Sequence, residues 1–149
     1  MDKITQAVKQ FEIGHSCSQA ILMAYADELG LTTKQALKLA SGFGGGMAHQ
    51  DGTCGAVTGA MLVLGAKYGY TTPGPSESKE KTYEIIQCFT RAMTRRFNTT
   101  VCTEMIGFDL STPAGLAAAR QDQVFQRLCP GFVRAAAEIL AELVAEHGL

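Results

Sequence analysis

Apolar side chains recur at three and four positions almost from end to end of this chain, the repeat of an α-helix rather than the alternation of a strand. Ile4, Ala7, Val8 and Phe11 mark a first helix. Ser16 can cap a second, whose Cys17, Ala20, Ile21 and Ala24 share a face up to a stop at Gly30. Thr32 or Thr33 opens a short third through Ala36, Leu37 and Ala40, ended by Gly42. A run from Gly42 to Thr53 follows, too rich in glycine to be regular, and leads into an apolar helix from Cys54 to about Tyr68. Gly55, Ala56, Gly59 and Ala60 keep the first two turns of that helix thin enough for a neighbouring backbone to approach closely. Beyond the turn at Thr71–Ser76, a long helix is traced by Tyr83, Ile86, Thr90, Met93 and Phe97. A short one spans Val101 to Ile106 and stops at Gly107. Ser111-Thr112-Pro113 begins an alanine-rich helix running to about Gln123, and Cys129-Pro130 precedes the last, through Phe132, Val133, Ala136, Ile139, Leu140 and Leu143. The pattern predicts an all-α bundle of about six to eight helices, one domain over residues 1–149, with a glycine-rich loop before its central helix and almost no strand.

At 149 residues, 46% of them apolar, such a bundle can bury a core without disulfides or a structural metal, so the five cysteines are not needed as staples. Thirteen basic against fourteen acidic side chains leave a net charge of −1, no footprint for nucleic acid or an anionic membrane. Met1-Asp2-Lys3-Ile4-Thr5-Gln6 lacks the features of a secretory signal, which predicts a cytoplasmic protein. The longest charge-free apolar run, Cys54 to Ala66, falls short of the roughly 20 residues a membrane span needs. In a reducing compartment cysteines serve catalysis, redox sensing or metal binding more often than structure.

Cys17, Cys54, Cys102 and Cys129 all fall at or near helix starts, where free N–H groups and the helix dipole favour a thiolate. A thiolate is both nucleophile and metal ligand. The plain alternative is that each packs as a small hydrophobe, the reading adopted for the mid-helix Cys88. No Cys-x-x-Cys is present, so neither a thioredoxin-like motif nor a zinc ribbon can be read off, and any grouping of thiols must come from the fold. His15 and His49 stand close before Cys17 and Cys54 and could act as ligands or proton acceptors. Arg91, Arg95 and Arg96 share a helix with Glu77, Glu80 and Glu84, which makes them a solvated face. The glycines could cradle an anion, but neither a Walker nor a dinucleotide fingerprint is present, and no hydrolase motif is visible.

His15-Ser16-Cys17-Ser18-Gln19-Ala20, Ser41 to Met47, Cys54-Gly55-Ala56-Val57-Thr58-Gly59 with its continuation to Gly69, and Gly107 to Pro113 together resemble the C_GCAxxG_C_C family of small redox-active proteins, over almost the whole chain. The resemblance implies that Cys17, Cys54, Cys102 and Cys129 are the four family cysteines and that Cys88 is an extra. It also suggests association with a transporter, since members are often encoded beside transporter genes. Two readings follow. In the first, a helix-start thiolate, with Cys54 the leading candidate, attacks a disulfide of a partner protein or small molecule, and a second family cysteine resolves it. In the second, Cys17, Cys54, Cys102 and Cys129, with His15 or His49, hold zinc or an iron–sulfur cluster. A third possibility is that the cysteines only pack and the Gly55/Gly59 face meets a second subunit in a homo-oligomer.

Overall fold

The computed structural model describes residues 1–148. Among these residues the chain forms nine right-handed helices and one left-handed turn: α1 (Lys3–Glu12), α2 (Cys17–Tyr25), α3 (Thr33–Ala40), the left-handed α4 (Gly44–His49), α5 (Gly55–Tyr68), α6 (Glu77–Phe97), α7 (Cys102–Ile106), α8 (Pro113–Asp122), α9 (Val124–Arg127) and α10 (Cys129–His147). The all-α class is the one the periodicity predicts. The helix count exceeds six to eight because the positive φ of Gln123 divides what looks like one passage into α8 and the single turn α9.

Side-chain caps set several of the starts. Ser16 and Thr32 each close a capping box, with Gln19 and Gln35, so Thr32 rather than Thr33 caps α3. Thr112 accepts from the Gly115 N–H ahead of Pro113, and Gly107 ends α7 at φ 82°.

The core centres on α2 and α5, wrapped by α1, α6 and α10. Ala20, Ile21, Ala56, Val57, Ala60 and Leu64 are fully buried there. Their close approach depends on Gly59: a Cβ at that position would lie 2.9 Å from both Cα and O of Ser18. α6 packs Thr82, Ile85, Phe89 and Met93 inward. That face is offset from the one expected, and Tyr83 is 44% exposed, set edge-on to Tyr70. The offset is possible because Thr82 satisfies its hydroxyl internally, donating to the Tyr68 carbonyl at 2.6 Å, so a polar residue takes a core position. Strand structure among the described residues amounts to an isolated antiparallel bridge, Thr53 to Val101. No described helix is long and apolar enough to cross a membrane.

Candidate functional site: a cavity walled by cysteines

The segment between α3 and α5, expected to be irregular, instead winds as a left-handed helical turn. Gly45, Gly46, Met47 and Ala48 hold φ between 61° and 76° with ψ between 33° and 59°, and His49 has φ 62°. Glycine enters this region freely, whereas L-residues resist it by roughly 1–2 kcal/mol each, so the flanking structure must impose the turn. Two carbonyl contacts do part of that: the N–H groups of Gln50 and Gly52 both donate to the Gly46 carbonyl, at 3.1 and 2.9 Å.

Three cysteines meet around the turn. Cys17 opens α2, and the first turn of that helix is anchored on α3: Ser18 donates its hydroxyl to the Ala40 carbonyl at 2.8 Å, and the Gln19 side-chain amide donates to the Leu37 carbonyl at 3.0 Å. Cys54 is the N-cap residue of α5. Its backbone N–H donates to Thr100 O at 2.7 Å, while the Cys102 N–H donates to Gly52 O at 2.9 Å, on either side of the Thr53–Val101 bridge. Cys54 and Cys102 are thereby diagonal neighbours on one face of a two-stranded ladder, a relation that spans about 7–8 Å in regular sheet. They share a neighbourhood without forming a ready-made disulfide, and all five cysteines are free thiols.

Two glycines let this packing close. A Cβ on Gly55 would fall on the Cys17 sulfur, and one on Gly46 would lie 2.8 Å from Cys102 Cβ. Cys129, first residue of α10, faces the same space. Cys17, Cys54, Cys102 and Cys129 all line one cavity of 510 Å³, together with His15 and His49. The His49 ring folds back over Gly45, so close that a Cβ there would meet its imidazole at 2.5 Å. The four residues identified by their place at helix starts are therefore the four that the fold gathers. Cys88 lies elsewhere, half-buried, with the Arg91 guanidinium donating to its sulfur at 3.2 Å.

Helix-start position alone does not make all four into thiolates, as the sequence suggested. Cys17 is held down to about 6, chiefly by the Cys54 thiol hydrogen-bonded to its sulfur, and also by the N–H groups of Gly45, Ser18 and Cys17 itself, against the cost of burial. Cys54 moves the opposite way, well above the ordinary thiol range, because it donates to Cys17, is buried, and feels the Cys17 charge. Burial pushes Cys102 up to about 11 and Cys129 up to about 12, in both cases with the Cys17 charge adding to it. The two thiols differ in their surroundings: the Gly45, Ser18 and Cys17 N–H groups all lower the Cys17 pKa, whereas Cys54 is lowered only by the Ala56 N–H. Among the described residues no three His, Cys, Asp or Glu side chains are grouped so as to hold a metal ion.

Sequence reasoning missed Ser18, whose buried hydroxyl ties the Cys17 turn to α3, and the apolar wall of the cavity contributed by Phe11, Leu116, Phe125 and Phe132. A serine on the apolar face of α2 was the only signal for the first. Nothing local marked the second, since the wall joins four separate helices and segments.

The fold and the site define a class of protein: a small all-helical chain that brings four thiols from distant sequence positions to one cavity, a low-pKa cysteine among them. The chain belongs to the C_GCAxxG_C_C family, described as "putative redox-active protein", whose model matches residues 15–143. No curated protein and no solved structure matches the chain.

Proposed function

We propose that the protein carries out thiol–disulfide exchange, with Cys17 as the nucleophile and Cys54 as the resolving thiol. The observation that carries this reading is that the Cys17 sulfur lies against the start of α5, so close that a Cβ on Gly55 beside Cys54 would fall on it, with both thiols lining one cavity. The Cys17 thiolate attacks one sulfur of a substrate R–S–S–R′. The substrate S–S bond breaks, R′S⁻ leaves with the Cys54 proton, and a Cys17–S–S–R mixed disulfide forms. The Cys54 thiolate then attacks the Cys17 sulfur and expels RS⁻, which takes a proton from water, closing a Cys17–Cys54 disulfide. Two electrons pass to the substrate, and the same steps reversed oxidise a dithiol. Cys102 and Cys129 stay protonated at neutral pH and wall the site, which His15 and His49 also line. The redox partner in this reading is a disulfide or dithiol.

The test is to expose anaerobically reduced protein to oxidised glutathione, block the remaining thiols and map the crosslinks by mass spectrometry. A Cys17–Cys54 crosslink is expected, and in a Cys54→Ser variant a mixed disulfide on Cys17. If Cys17 reacts no faster than Cys88 and no Cys17–Cys54 bond forms, the reading fails.

A further inference from the structure

The cavity carries more information than the thiols, because it restricts what can reach them. Cys54 and Cys102 are only 5% and 8% exposed and Cys17 is half-buried, so the reactive sulfurs lie at the cavity wall rather than on a protruding surface. A disulfide in a folded protein arrives with two flanking chains and cannot descend to such a wall. A small molecule can, and 510 Å³ falls within the range of small-ligand cavities. The surface leading to the sulfurs is mostly apolar: Phe11 from α1, Met105 and Ile106 from α7, Leu116 from α8, Phe125 from α9 and Phe132 from α10. Phe132 is fixed edge-on to Phe97 at 5.0 Å, so this wall is preformed.

Two charged side chains reach the rim, Arg120 from α8 and Glu12 from the end of α1. Among the described residues neither is held in an ion pair. They do not weigh equally, because α2, α5 and α10 all direct their N-terminal ends, each bearing a cysteine, toward the same space. Those ends offset the negative charges of Glu12 and the Cys17 thiolate, which leaves Arg120 as the cation facing an incoming acid group.

Resting on the exchange chemistry proposed above, we infer that the substrate is a small-molecule disulfide with an apolar arm ending in a carboxylate. Its disulfide sits against Cys17, its arm lies along the Phe11–Phe125–Phe132 wall and its acid group pairs with Arg120. The covalent step is the balanced exchange already described, the protein dithiol being the reductant and the small disulfide the oxidant.

The experiment uses the full chain carrying Cys54→Ser, which keeps a hydroxyl donor to Cys17 and stops after the first step. The probes are the disulfide of 6-mercaptohexanoic acid, its bis-amide, the diamine cystamine and oxidised glutathione, and the reading is the rate at which the mixed disulfide on Cys17 appears by mass spectrometry. The hexanoate disulfide is expected to react fastest. Arg120→Gln should lower the acid-to-amide rate ratio about fivefold, the scale of an ion pair at an exposed rim, and Phe125→Ala should slow both hexanoyl probes relative to cystamine. Equal acid and amide rates in the parent protein, or preference for cystamine or glutathione, would overturn the inference and leave the exchange chemistry standing. Failure of every probe to label Cys17 would instead overturn the exchange reading itself.

Discussion

Cys17 owes its low pKa to donors supplied by three separate stretches of chain: the Cys54 thiol, the Gly45 N–H and the opening of α2. A thiolate stabilised in this way titrates near pH 6 instead of near the ordinary 9.0. The pH profile of iodoacetamide labelling at Cys17, followed by mass spectrometry, should therefore have its midpoint near 6. In Cys54→Ala, where the strongest donor is gone, the midpoint should move toward 9. An unmoved midpoint would mean that the helix start alone holds the charge. The set of four thiols was legible in the sequence, because a thiol at a helix start is a local pattern. Which of them is ionised was not: the dipole is similar at each helix start, and burial and neighbouring donors, both tertiary, decide the sign.

Among the elements, the left-handed α4 and the α2–α5 contact shape the site most. Ala48 is exposed and sits at φ 61°, ψ 47°, so its methyl adds strain without burying apolar surface. Ala48→Gly should accordingly raise stability by about 1 kcal/mol in urea unfolding, the reverse of the loss this change causes in a right-handed helix. Gly59→Ala should do the opposite. Its Cβ would press on the Ser18 backbone at 2.9 Å, which has no rotamer to turn away, so a loss of about 1–3 kcal/mol is expected in the same assay. The small-residue face of α5 predicted this close approach from sequence alone. The hand of α4 could not be read, since Met47, Ala48 and His49 carry no preference for positive φ and are held there by contacts around Gly46.

For the molecule as a whole, the thiols link stability to pH in two opposed ways. Cys102 and Cys129 have pKa values raised by burial, so their contribution is complete below about pH 9, where the unfolded thiols are also protonated, and is lost as pH rises toward 11 and 12. Cys17, whose pKa is lowered, contributes fully only above about 9, and that contribution disappears as pH falls through 6. The urea midpoint is therefore expected to drop between pH 9 and 12, and to drop less steeply in Cys129→Ala, which removes one of the buried thiols. Parallel curves for the two proteins would show that Cys129 is not protonated by its surroundings.

The amino-acid sequence by itself determined the helices other than α4 and α9, the caps at Ser16, Thr32 and Thr112, the thin face of α5 and the set of four cysteines, because period, capping and residue size act within a few positions of the chain. Only the tertiary structure decided that those cysteines share a cavity, that Cys17 rather than Cys54 holds the charge, and that an apolar wall with Arg120 leads to them. Those properties depend on desolvation and on donors brought from distant segments, which exist only once the helices have packed.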